Sequence, residues 1–139
     1  MNKQIIDEMI VKAMDILSAN EVKIVENNQV PSEYFGYIAS FGPAVVQTGL
    51  IQTVAFYCND SDEGKKRKKI IALMAKTLEQ TGRIANLGNS DLYEYLKNQW
   101  NNNNFYARIH LKNMVMEACT ACKLALRTFP KKDDNNANE

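Results

Sequence analysis

Apolar residues in this chain recur every three or four positions, and two-residue alternation is nearly absent. That period gathers apolar side chains on one face of a helix and gives a strand no buried face. In residues 2–19, Ile5, Ile6, Met9, Ile10, Ala13, Ile16 and Leu17 share a face, while Lys3, Asp7, Lys12 and Asp15 take the other. Residues 105–129 repeat the pattern, with Leu111, Met114, Val115, Ala118, Ala121, Cys122, Ala125 and Phe129 in one arc. A chain of 139 residues buries roughly 68–70% of its unfolded surface, enough for one core. No apolar run reaches the roughly 20 residues of a membrane span, and the N-terminus has no signal-peptide h-region.

Prolines, glycines and capping residues divide the pattern. The polar stretch through Asn27 and Asn28 ends at Pro31, a residue favoured at helix starts, and predicts a short helix over 32–40. Gly42-Pro43 is expected to interrupt it, because proline cannot continue the hydrogen-bond ladder. A new turn over 43–48 follows, and Gly49 breaks the chain again before a helix over 50–58. Asp60 or Ser61 can accept from the free N–H groups of the next helix, over 62–81, which buries Ile70, Ile71, Met74, Ala75 and Leu78. Residues 82–89 read as a loop, and Ser90 is expected to cap a short helix over 91–99. The Asn101–Asn104 run is a linker in which Asn104 can cap the last helix, and Pro130 stops that helix. The expected architecture is all-α, a single domain of about six helices over residues 1–129, with a disordered tail over 130–139.

The net charge of +1 conceals a division along the chain. Residues 1–64 carry three basic and nine acidic side chains, and residues 65–139 carry fourteen basic and seven acidic. Lys65, Lys66, Arg67, Lys68 and Lys69 form an unbroken cationic run near a helix start. At 100° per residue they point all round the helix, and they oppose the positive end of its dipole. A phosphate backbone relieves that repulsion; the alternative is a solvated run partly neutralised by Asp60, Asp62 and Glu63. In the last helix Arg108, Lys112, Lys123 and Arg127 fall within about a third of the circumference, a stripe about 28 Å long. It can track phosphates or simply face solvent. Tyr93, Trp100, Phe105 and Tyr106 flank the asparagine linker, where they can stack on bases or pack into the core.

Three cysteines are too few for a secreted disulfide framework and point to the cytoplasm. Cys119 and Cys122 have the C-x-x-C spacing, but only Cys58 and His110 remain to complete a zinc site, and the pair lies within an apolar helical arc. Two core-facing thiols are the expectation, with a metal or redox pair as the alternative. There is no P-loop, no dinucleotide fingerprint, no carboxylate cluster for a metal and no positional partner for His110. Neither an enzyme nor a cofactor is expected.

The stretch Pro43-Ala-Val-Val-Gln-Thr-Gly49-Leu50-Ile-Gln52-Thr53-Val-Ala-Phe56 resembles the signature of the small helical subunit of type III-B CRISPR effector (Cmr) complexes. That family carries a Pro-Ala stretch followed by Gly-Leu-x-Gln-[Thr/Ala]-x-Ala-Phe. Gly49 permits a sharp reversal, Leu50, Thr53, Val54 and Phe56 are expected to fill the helix junction, and Gln52 to hold a partner nearby. Glu117-Ala118 with Arg127 resembles the family's ending, although Leu124 stands where an aromatic is usual.

The resemblance implies a non-catalytic subunit of an RNA-guided antiviral ribonucleoprotein. Its implied partners are guide RNA, target RNA, the backbone subunits, a Cas10-type large subunit and further copies of itself in a head-to-tail stack, with no membrane. An acidic N-terminal half meeting the basic half of the next copy is the expected basis of stacking. Base pairing reads sequence in such assemblies, so contacts to phosphate and shape are expected. The runner-up reading is a helix-turn-helix DNA-binding regulator built around Gly49. Against it, residues 50–58 contain no Lys or Arg.

Overall fold

The computed structural model describes residues 3–88, 90–101 and 104–132. Six helices carry the fold: α1 (Lys3–Ser18), α2 (Ser32–Thr48), α3 (Leu50–Tyr57), α4 (Asp62–Gln80), α5 (Leu92–Asn101) and α6 (Phe105–Leu126). Two short strands, β1 (Val30–Pro31) and β2 (Lys131–Lys132), pair in parallel. The all-α single domain expected from the periodicity is what forms.

The core assembles around α6, which touches α1, α2, α4 and α5. Its inner face carries small side chains, Ala118, Ala121, Cys122 and Ala125, all fully buried, and these let neighbouring helices approach closely. Into that space α1 places Met9, Ala13, Ile16 and Leu17, and α4 places Ile70, Leu73, Met74 and Leu78. Phe41 of α2 is fully buried, edge-on to Tyr57 of α3 at 5.3 Å between ring centroids. The Tyr57 hydroxyl donates to the carbonyl of Tyr37 at 2.6 Å and satisfies its polar end inside the core.

Helix ends follow local chemistry. Ser61 accepts from Gly64 N–H at 3.0 Å and caps α4, and Asn104 accepts from Ala107 N–H at 3.0 Å and caps α6. The cap of α5 is Asp91, not Ser90: the Asp91 carboxylate accepts from Glu94 N–H at 2.8 Å. The last helix stops three residues before the expected end. Thr128 and Phe129 instead bond back to Ala125 and Leu126 in the tighter i→i−3 pattern of a fraying terminus.

A larger correction concerns a break. Gly42-Pro43 does not interrupt the chain, since α2 runs continuously from Ser32 to Thr48 with Pro43 inside it. Pro43 and Ala39 both lie on the solvent face, so the Ala39 carbonyl that loses its helical donor stays hydrated. Gly49 alone makes the break, at φ 101° and ψ 158°, a conformation closed to side-chain-bearing residues. Across it, the Thr53 hydroxyl donates to the Gly49 carbonyl at 2.8 Å and lies 3.2 Å from the Thr48 hydroxyl. Residues 130–132, part of the expected tail, join the fold. Val30 N–H donates to Pro130 O at 2.9 Å, and Lys131 and Lys132 pair with Val30 and Pro31; residues 133–139 lie outside the described residues.

Candidate nucleic-acid interface

The charge division along the chain largely disappears in space. Of six ion pairs among the described residues, five join an acid of residues 1–64 to a base of residues 65–139. Lys66 meets Glu33 at 3.1 Å, Arg67 meets Glu63 at 3.5 Å, and Lys68 meets Asp60 at 3.2 Å. Lys76 meets Glu21 at 3.7 Å, and Lys132 meets Glu26 at 3.2 Å. The halves therefore neutralise one another within one molecule. The acids of residues 1–64 that lie outside these pairs are Asp7, Glu8, Asp15 and Asp62.

The five-cation run at the start of α4 divides by direction. Arg67 turns inward: its side chain is only 12% exposed, and its guanidinium lies 4.5 Å from the Phe56 ring centroid and 5.9 Å from that of Tyr37. The Phe56 and Tyr37 faces and the Glu63 carboxylate hold it there against the cost of desolvation, which commits it to structure. Lys65, Lys66, Lys68 and Lys69 remain outward. Lys65 makes no ion pair among the described residues, and Lys69 Nζ donates to the Lys23 carbonyl at 2.9 Å. Their ion pairs are exposed, and pairs of this kind contribute about 0–1 kcal/mol, so a phosphate can displace them.

The α6 stripe is also split. Thr77 lies 3.6 Å from Cys122 and Arg83 pairs with Glu117 at 3.2 Å, so α4 and α6 run antiparallel. The C-terminal half of α4 thus sits beside the C-terminal end of α6, and the lysine run at the start of α4 lies beyond that end, on the side of half-buried Lys123 and exposed Arg127. Lys112 lies about 16 Å away from Lys123 along the helix. Arg108, farther still, is held over the Trp100 ring at 5.2 Å and donates from Nε to the Trp100 carbonyl at 3.0 Å, tying α6 to α5.

The aromatic candidates separate similarly. Phe105 and Tyr106 are exposed and edge-on to each other at 5.9 Å, whereas Tyr93 and Trp100 are half-buried. Phe105 and Tyr106 stand at the α6 end remote from the lysine run. In the motif, Leu50 and Thr53 are buried as expected. Phe56 is not: it is 57% exposed and covers Arg67 instead of filling the junction. Gln52 is exposed, and its side chain makes no hydrogen bond to another described residue. Periodicity offered no warning of either, because a helix of eight residues leaves most of its circumference to tertiary partners.

The thiols of Cys119 and Cys122 point into the core, the first toward the Ile38 carbonyl and the second toward the Thr77 hydroxyl. Burial pushes the Cys119 thiol up to about 11 and the Cys122 thiol up to about 12. Unfolded thiols ionise near 9.0 while the folded ones stay protonated. Above that pH the unfolded state binds fewer protons, so stability falls as pH rises, by about 1.4 kcal/mol per thiol per pH unit within the window. Urea midpoints measured between about pH 8 and pH 10.5 should show this decline, and a flat profile would contradict thiol burial.

The fold and this surface define an all-helical protein whose outward chemistry is a lysine cluster at one end of a buried helix pair. A family model described as CRISPR-associated protein (Cas_Cmr5) matches residues 13–124, and the chain belongs to that family, the small subunits of Cmr, or type III-B, CRISPR complexes. The match contains both the Pro43–Phe56 stretch and the α4 lysine run. Comparison with curated proteins and with solved structures returns no match.

Proposed function

We propose that this subunit is non-catalytic and binds RNA backbone within an RNA-guided antiviral ribonucleoprotein in the cytoplasm. The observation that carries the reading is the gathering of Lys65, Lys66, Lys68, Lys69, Lys123 and Arg127 at one end of the molecule, from two helices remote in sequence. Ammonium and guanidinium groups set on helices give phosphate contacts without base readout, as a channel for a guide–target duplex requires. Lys112 and Arg108 are farther from this end, and Arg67 acts beneath it by anchoring Phe56. Guide RNA, target RNA, the backbone subunits, a Cas10-type large subunit and further copies of this chain are the partners. Head-to-tail stacking does not draw on the paired acids. Its other face is the α1 groove, where Asp7, Glu8 and Lys12 rim the exposed Val11.

Two measurements test this. Contact with about six phosphates gives a slope of log affinity against log salt near −4 for single strands. Changing Lys65, Lys66, Lys68 and Lys69 together to Gln should reduce its magnitude by about 3, equally for unrelated RNA sequences. An unchanged slope would remove the run from the interface. Purification of the tagged chain from its host should recover guide RNA and more than one copy per complex, with no RNA cleavage by the isolated subunit. Recovery of a monomer without RNA would overturn the proposal.

A further inference from the structure

Beside the lysine run, the fold closes a cleft of about 370 Å³ from three segments distant in sequence: the 23–34 stretch, the first turns of α4, and β2. Four lysines line it, Lys23, Lys66, Lys69 and Lys132. The carboxylates there are Glu33, already held by Lys66 at 3.1 Å, and Glu26, already held by Lys132 at 3.2 Å. Lys23 and Lys69 have no matching carboxylate among the described residues. Lys69 spends one donor on the Lys23 carbonyl, and an ammonium carries three.

The cleft is built by backbone and does not depend on flexible side chains meeting by chance. Pairing of Lys131 and Lys132 with Val30 and Pro31 sets β2 along its edge, which places Lys132 at the mouth. Tyr34 also lines it, and the residue is 4% exposed. Its phenol O–H can donate to an acceptor in the cleft. No exposed aromatic face is present to stack a base. Donors of positive charge, a phenol O–H and no stacking surface together suit one phosphate and its sugar.

We propose that this cleft seats one phosphodiester of an RNA strand, with Lys23, Lys69, Lys132 and Tyr34 as its donors. The assignment rests on the RNA reading above and extends it to residues that no cationic run identifies. Lys23 sits alone among acids in the sequence, and Lys132 lies beyond the residues matched by the family.

The test is a titration of the isotope-labelled full-length chain with a short oligouridine, followed by NMR and by affinity at several salt concentrations. Lys23→Asn removes the cation yet suits the left-handed backbone at φ 59° there, so folding is not at stake. This variant and Lys132→Gln should each weaken binding and lower the slope magnitude by part of the about 0.7 that one phosphate contributes. Tyr34→Phe should weaken binding severalfold with no change of slope, because the phenol is uncharged. RNA bound by the parent chain with all three variants unaffected would overturn the cleft and leave the wider RNA reading standing. No RNA-induced shift on the parent chain at millimolar concentration would overturn both. Inorganic phosphate shifting the Lys23 and Tyr34 signals more tightly than oligouridine would assign the cleft to a free anion and overturn the RNA seat.

Discussion

Gly64→Ala is expected to destabilise the protein by about 2–3 kcal/mol, although the same change in most helices is favourable. Alanine gains about 1 kcal/mol over glycine inside a helix. At Gly64 that gain is outweighed. An added Cβ would run into the side-chain oxygen and the backbone carbonyl oxygen of Asn59, and would come within 2.8 Å of its carbonyl carbon. The Asn59 side chain cannot simply swing away, since it accepts from Ser61 N–H at 3.0 Å and from the Ser61 hydroxyl at 2.6 Å. Ser61 in turn caps α4 through Gly64 N–H. Moving this turn therefore sacrifices the cap as well, worth about 1 kcal/mol. Gly36 in α2 is the internal control, because a Cβ there meets nothing within 4 Å. Gly36→Ala should raise stability by about 1 kcal/mol. Thermal unfolding of both variants decides it, and equal shifts of the same sign would refute the packing of Asn59 over the α4 terminus.

Pro43→Ala should act in the opposite direction and stabilise the protein by about 2 kcal/mol. Proline inside a helix costs about 3 kcal/mol through its lost N–H and its clash with the preceding turn. Removing it also frees the unfolded chain, which returns up to about 1 kcal/mol. The new N–H reaches the Ala39 carbonyl, and Pro43 is exposed, so no buried contact is lost. The denaturation midpoint should rise at constant m-value. A fall in midpoint would mean that α2 is bent at Pro43 and that Gly49 and α3 depend on the bend.

These two positions show where residue patterns lose their authority. A Gly-Pro dipeptide is a strong local break signal, yet the cost of one missing hydrogen bond on a hydrated face is smaller than the gain from continuing α2 into the core. Phe41, before Pro43, and Val45, after it, are both buried. Keeping them on one helical face is worth more than a kink avoided. The role of Gly64 was not legible in the sequence, because the clash involves Asn59, a residue outside the helix. Among ion pairs, Arg67 with Glu63 is visible as an i,i+4 spacing, whereas Lys66 with Glu33 and Lys132 with Glu26 depend on the fold alone. The lysine run was readable as a cationic feature, but not that Arg67 faces inward or that Lys23 joins its neighbours.

By itself the sequence determined the all-α class, the buried faces of α1, α4 and α6, and the caps at Ser61 and Asn104. It also carried the stretch that resembles the Cmr small subunits. Each of these is local, set by a 3.6-residue period or by one side chain bonding a backbone group a turn away. Tertiary structure decided which charges face which. Antiparallel packing of α4 on α6 carried Lys123 and Arg127 to the lysine run, and β1–β2 pairing brought Lys132 there as well. The same packing drew the acids of the first half onto the bases of the second. Coulomb interactions depend on distance in space, and a linear chain fixes that distance only for neighbours.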